Sequence, residues 1–234
     1  SIVGAPSIAD EGDAINVTST MNDPGVDDTH TYGWTVYRND VLYTLANGTV
    51  DDDTSFSFVP RDNGVYKIRL TVVDDEGGST TVNSDPITVG NVNPTAQINN
   101  APVGAIDEGD TVNLSVTPAD VGEDDETAGF TYEWSATKDN VAYDLGNAVV
   151  DAANFDFTPR DNGSYIVSVK VTDKDSGHVT VSTAAIQVDN VDPSPTIDGV
   201  PANADEGDTI SVSADEADAG ADDEHTYNWT VEKP

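Results

Sequence analysis

The tetrapeptide Asp10-Glu11-Gly12-Asp13 returns as Asp107-Glu108-Gly109-Asp110 and again as Asp205-Glu206-Gly207-Asp208, at spacings of 97 and 98 residues. Trp34, Trp134 and Trp229 follow these runs, each two residues after a Tyr. Phe58-Val59-Pro60-Arg61-Asp62-Asn63-Gly64-Val65-Tyr66 matches Phe157-Thr158-Pro159-Arg160-Asp161-Asn162-Gly163-Ser164-Tyr165, and Asn91-Val92-Asn93-Pro94 matches Asn190-Val191-Asp192-Pro193. Such a chain builds one unit repeatedly, so the repeat, and not the length, sets the domain count. The copies fall at 1–93, 94–192 and 193–234. The third holds only the equivalents of strands A to C, and the first begins level with the end of strand A, which reads as a window on a longer array. Half a sandwich exposes a core face and an open edge, so the third copy is expected to be unstable alone.

Within each copy the apolar residues alternate. Tyr66, Ile68, Leu70 and Val72 interleave with Lys67, Arg69 and Thr71, and Tyr165, Val167, Val169 and Val171 repeat the pattern. A period of two is that of a strand with one buried face. Gly, Asp, Asn and Pro clusters between the runs supply the turns. No stretch shows helical spacing for longer than a turn. Short strands in units of about 100 residues, with a central Trp and a Tyr opening a late strand, predict an all-β chain of tandem immunoglobulin-like sandwiches. In copy one, strand B is expected near 14–18, C near 32–37, E near 55–59, F near 66–73 and G near 80–89. Trp34 becomes a core anchor, and Asp62-x-Gly64-x-Tyr66 the corner where a Tyr hydroxyl bonds back to the backbone.

Glu11-Gly12-Asp13, Asp23-Pro24-Gly25, Asp27-Asp28-Thr29, Thr31-Tyr32-x-Trp34, Val73-Asp74-Asp75-Glu76-Gly77-Gly78 and Asn91-Val92-x-Pro94 together resemble the PKD-type immunoglobulin-like repeats of prokaryotic surface proteins. The resemblance spans essentially the whole chain. One departure is that the usual Gly-Asp-Gly turn after the strand-C Trp is replaced by Trp34-Thr35-Val36 and Trp134-Ser135-Ala136, which continue as strand.

On this topology the B–C and F–G loops lie at the N-terminal end of each domain, the A–B turn and E–F corner at its C-terminal end. A linker as short as Asn91-Val92-Asn93-Pro94 sets the two ends against each other. The first junction gathers Glu11, Asp62 and Asn63, linker residues Asn91 and Asn93, and Asp120, Glu123, Asp124, Asp125, Asp173 and Asp175 of the next copy. The second gathers Glu108, Asp161, Asn190, Asp192, Asp218, Asp222 and Asp223. Such hard oxygen donors suit Ca²⁺, which takes about 6–8 of them in flexible geometry, better than the stricter Mg²⁺. The layout is similar to the calcium junctions of cadherin-type repeats, which also use an early Glu, an E–F carboxylate, an Asn-rich linker and two loops of the next domain. Two plainer readings stand beside this one: acidic loops also serve as solvated turns, and Asp62 has the tyrosine corner or Arg61 as alternative partners. Asp10 and Asp13 have the turn into strand B.

Charge removes other classes. Nine Lys+Arg against 44 Asp+Glu give a net charge of −35, which leaves no basic stripe for nucleic acid and no attraction to anionic lipid. No cysteine is present, so disulfides and thiolate metal sites are excluded. No apolar run approaches the roughly 20 residues of a membrane span, and the first residues carry no signal segment. Catalysis has little support: His30 and His225 match, but copy two has Gly129-Phe130 there, His178 stands alone, and no Ser has an identifiable base. Asn16, Asn47, Asn113, Asn162 and Asn228 open acceptor patterns for N-glycosylation, with Asn47 the most loop-like. The expected function is that of an extracellular or cell-surface structural repeat protein, a stalk, surface layer or filament stiffened by Ca²⁺. Its partners would be neighbouring copies or further repeats. The alternative is an adhesin or carbohydrate-binding accessory module meeting surface glycans through aromatics such as Tyr37, Tyr43 or Tyr143, although the last two recur and are expected to pack.

Overall fold

A computed structural model describes residues 1–25, 27–44 and 54–232; Asn47 lies outside them. Two tandem β-sandwich domains account for most of the chain. Grouped by contacts, one unit is Ser1–Ala96 with Pro118–Thr131 and Val171–Val179, and the other is Gln97–Thr117, Tyr132–Lys170 and Thr180–Pro234.

In the first repeat the strands are β1 (Ile2–Val3), β2 (Ile8–Asp10), β3 (Ile15–Ser19), β4 (His30–Arg38), β5 (Val41–Leu42), β6 (Ser55–Phe58), β7 (Gly64–Asp74), β8 (Ser79–Asn83) and β9 (Ile87–Gly90). One sheet runs β1-β3-β6 and the other β2-β9-β7-β4-β5, with β8 also beside β7. Strand A is therefore divided: β1 pairs antiparallel with β3, and β2 pairs parallel with β9. The longest pairing sets Trp34 opposite Leu70. Asn39 and Asp40, both at positive φ (50° and 63°), make the two-residue turn that joins β4 to β5.

Strand G is expected to be continuous over 80–89 but forms two pieces, β8 and β9. The hydroxyl of Ser84 accepts the Ile68 N–H at 3.0 Å, where a continued ladder would use a carbonyl, and Pro86 has no N–H to give. Thr183 does the same for Val167 at 3.1 Å in the second repeat, so the break belongs to the fold.

The core repeats the aromatic order of the sequence. Trp34 stacks on Phe56 at 5.6 Å and Tyr43 meets Tyr66 edge-on at 5.4 Å. Tyr66 is fully buried, and its hydroxyl donates to the Asp62 carbonyl at 2.7 Å, as Tyr165 does to Asp161. The corner thus uses the backbone of Asp62 and leaves its carboxylate for other partners. Replacing Tyr66 by Phe strands that buried carbonyl and should cost about 1–3 kcal/mol, read as a lower urea midpoint at unchanged slope.

The second repeat contains β10 (Thr95–Asn99), β11 (Ile106–Asp107), β12 (Val112–Ala119), α1 (Glu123–Ala128), β13 (Thr131–Lys138), β14 (Val141–Tyr143), β15 (Asn154–Phe157), β16 (Gly163–Thr172), β17 (His178–Ser182) and β18 (Ile186–Asp189). Its sheets, β10-β12-β15 and β11-β18-β16-β13-β14 with β17 beside β16, reproduce the first pair. The helix departs from the expectation of none. Four acidic residues fill its first turn, where the positive end of the peptide dipoles favours them, and the absence of an apolar stripe hides it from a periodicity argument.

In the third copy, β19 (Ser194–Asp198) and β20 (Ser213–Ala217) form a two-stranded antiparallel sheet. The expected strand C is not formed around Trp229, which is 47% exposed. Trp34 and Trp134, by contrast, are buried and stack on Phe56 and Phe155.

Candidate metal centre

Glu11 follows β2 directly. Its N–H donates to the Gly90 carbonyl at 3.1 Å and that of Gly12, at φ 80°, to the Pro60 carbonyl at 2.9 Å. This turn aims the Glu11 side chain inward, where it is 1% exposed. Oε1 accepts the Val92 N–H at 2.7 Å, while Oε2 has no hydrogen-bond partner. Glu11, Asp62 and Asp125, all buried, bring one carboxylate oxygen each within 4.8 Å of one another.

Asp125 sits in the first turn of α1 at 0% exposure. Its Oδ2 has no partner, and its Oδ1 has Lys174 Nζ at 3.1 Å but out of line for a hydrogen bond. Asp120 Oδ2 and Asn91 Oδ1 are likewise buried without a partner. Asn91 Nδ2 donates to Asp173 Oδ2 at 3.0 Å, and Asp173 Oδ1 accepts the N–H groups of Asp175 and Gly177, each at 2.8 Å. Asn93 Oδ1 accepts the His178 N–H at 3.2 Å.

The electrostatics follow from that crowding. Burial pushes the Glu11 carboxyl up to about 7, opposed by the Val92 N–H and reinforced by Asp125, Asp120 and Asp62. Asp125 and Asp120 are also pushed up, chiefly by burial. Asp62 goes the other way: burial raises it, but hydrogen bonds from Lys174 at 2.7 Å and Arg38 at 2.5 Å outweigh that and hold it below the usual carboxylate range. Arg61, the partner expected for Asp62, instead meets Glu123 at 2.7 Å and Asp124 at 3.5 Å. Glu123 and Asp124 therefore point to ion pairs with Arg61 and not into the oxygen cluster.

A glycine opens the space. A Cβ on Gly122 would lie 2.9 Å from Glu11 Cδ and 3.0 Å from its Oε2, besides colliding with the Asp125 carboxylate. Gly122→Ala should therefore force the two carboxylates apart, an overpacking cost of about 1–3 kcal/mol. A urea melt reads the loss as a lower midpoint, with the circular-dichroism spectrum of the sandwich unchanged.

The second group repeats the plan. Glu108 is 1% exposed, its Oε1 accepts the Val191 N–H at 2.7 Å, and its Oε2 is unpartnered. Glu108, Asp161 and Asp223 come within the same 4.8 Å, and a Cβ on Gly220 would lie 2.8 Å from both Glu108 Cδ and Asp223 Cγ. Asp161 is paired with Lys138, Asp222 with Arg160 at 3.1 Å, and Asp218 with His225 at 2.7 Å. Asn190 and Asp192 remain exposed. A third group, Asp28, Asp75 and Glu76, is mostly exposed.

Sequence reasoning missed the basic residues, Arg38 and Lys174 above all. The available signal was a comparison between copies: Asp74-Asp75-Glu76 becomes Asp173-Lys174-Asp175, in a chain with only five Lys. Tyr43 and Tyr143 pack as expected, with hydroxyls accepting the N–H groups of Arg61 and Arg160, and Tyr37 lies under Arg69 at 4.6 Å.

Fold and site together define a tandem immunoglobulin-like β-sandwich protein with acidic clusters, each built on a buried Glu, recurring at equivalent turns. No family profile and no curated protein matches the chain. Among solved structures it is similar to the fibronectin(III)-like modules of Clostridium thermocellum CbhA, at 16% identity over 80% of this chain and 93% of that one, with a TM-score of 0.33. Three N-terminal domains of the bacteriophage RB49 highly immunogenic outer capsid protein align at 19% identity over 90% and 67%, TM-score 0.32. The amphioxus IgVJ-C2 molecule aligns at 12% over 77% and 99%, TM-score 0.38. Among the described residues no helix is long and apolar enough to cross a membrane.

Proposed function

We propose that the chain is part of an extracellular structural array whose sandwich repeats are locked end to end by Ca²⁺ held in the Glu11 and Glu108 clusters. The observation that carries this reading is the set of buried carboxylate oxygens with neither a hydrogen-bond donor nor a cation beside them: Glu11 Oε2 and Asp125 Oδ2 in one cluster, Glu108 Oε2 in the other. A buried carboxylate without a hydrogen-bond donor costs several kcal/mol unless it is protonated or meets a cation. Finding a buried, unpartnered Glu oxygen at the equivalent turn of two repeats argues that the oxygens serve a bound ion and are not packing defects. Hard oxygens with no sulfur and no imidazole at the clustered atoms suit Ca²⁺.

In the first cluster Glu11, Asp62, Asp120, Asp125 and Asn91 would hold the ion, with Asp173 and Asp175 close by. In the second, Glu108, Asp161 and Asp223 would do so. The action is mechanical: an ion shared between a turn of one repeat and loops of the next removes hinge freedom, so reach and stiffness grow with repeat number. The glycan-binding alternative loses its aromatic candidates, since Tyr43 and Tyr143 are spent in the core and Tyr37 on Arg69. The test is small-angle scattering combined with calorimetric titration of CaCl₂ into the chelated protein. Saturable uptake with a narrower distribution of maximum dimension is expected; no uptake, or uptake with unchanged scattering, defeats the reading.

A further inference from the structure

Lys174 reaches into the first carboxylate cluster, at 2.7 Å from Asp62 Oδ1 and 3.1 Å from Asp125 Oδ1, and also pairs with Asp175. We infer that its ammonium is a built-in competitor for the cation site and sets a higher Ca²⁺ threshold there than the same carboxylates would have without it. This inference rests on the calcium reading and goes beyond it to the residue that tunes affinity.

Three observations carry it. First, the ammonium touches the same Asp62 and Asp125 that, with Glu11, form the close triad, so an ion bound by that triad and the Lys174 head cannot share the space. Second, one positive charge leaves the site incompletely satisfied: Glu11 Oε2, Asp120 Oδ2 and Asn91 Oδ1 still lack donors. The cluster thus retains capacity for a divalent ion. Third, the side chain is 28% exposed, so its flexible stem can carry the head out to water when the ion arrives.

Competition predicts opposite signs for two measurements on one variant. In a chain whose second cluster is disabled by Glu108→Gln and Asp223→Asn, adding Lys174→Met should tighten CaCl₂ binding about tenfold, because the ion no longer displaces an internal cation and affinity rises with net ligand charge. The same substitution should lower the melting temperature in EDTA, where Lys174 is a principal counter-charge for Asp62 and Asp125. Lys174→Gln, which keeps polar reach without the charge, should behave likewise if Lys174→Met folds poorly. Lys174→Arg should stay near its parent. A parent that binds Ca²⁺ and a Lys174→Met or Lys174→Gln variant that binds it equally or more weakly overturns the inference alone. A parent that takes up no Ca²⁺ overturns the calcium reading, and this one with it.

Discussion

Saturating Ca²⁺ is expected to raise the melting temperature of the chelated protein by about 10–20 °C, and EDTA to reverse it. A ligand that binds only the folded state stabilises it by RT ln(1 + [L]/Kd), about 2.7 kcal/mol at a hundredfold excess over Kd. In a domain near 100 residues each kcal/mol moves the midpoint by roughly 4–8 °C. Mg²⁺ at equal concentration should give a much smaller shift, because its stricter geometry sheds water reluctantly for a cluster of this shape. The measurement is a calorimetric or fluorescence melt across a CaCl₂ series at fixed ionic strength, which separates binding from the screening that any salt gives a chain of net charge −35. A shift reproduced by NaCl alone would remove the specific effect.

The fold was legible because its signals are periodic and redundant. Alternation in Tyr66–Val72 could be checked against Tyr165–Val171, and Trp34 against Trp134, so a chance pattern in one copy would have failed in the other. What escaped was decided by backbone chemistry with no periodic trace. The break in strand G depends on single hydroxyls, Ser84 and Thr183, that substitute for a carbonyl in the ladder. The short helix Glu123–Ala128 depends on acidic residues at its start. Strand C of the third copy reads like those of its siblings, yet no strand forms around Trp229, because alternation alone does not supply the pairing a strand needs.

The site divides along the same line. Loop topology and spacing grouped Glu11, Asp62 and Asp125, and likewise Glu108, Asp161 and Asp223, which the fold brings within 4.8 Å, because the turns carrying them recur. Their partners were not legible. Whether Asp62 meets Arg61 or Arg38 depends on the side chain's direction across β4: Arg38, opposite Tyr66 in the β4–β7 pairing, reaches the corner, while Arg61 turns to Glu123 and Asp124. Lys174 was overlooked because a lone basic residue in an acidic loop reads as solubility balance until its position among the carboxylates is known.

The pH response should change sign with calcium. In the metal-free protein, the folded-state carboxyl of Glu11 is raised to about 7 from an ordinary 4.5. A carboxylate raised on folding imposes no penalty below its unfolded value and the full penalty above its folded one. Stability in EDTA should therefore fall as pH rises from about 4.5 to 7, by about 3 kcal/mol, since each pH step of one between those two values is worth about 1.4 kcal/mol. Asp125 and Asp120 are raised in the same sense. Asp62, held low by Lys174 and Arg38, acts oppositely, but its contribution is lost only as pH falls through the acid range below the ordinary carboxylate value. The two windows are thus separate. With Ca²⁺ present the direction inverts, since the ion binds deprotonated oxygens and gains affinity as protons leave. Glu11→Gln isolates the group: it removes the buried charge, so the EDTA profile should flatten between about pH 5 and 7.5 while much of the Ca²⁺ shift disappears. Melts at these two values, with and without CaCl₂, provide the check, and a Glu11→Gln protein that kept the parent's slope in EDTA would assign the titration to another carboxylate.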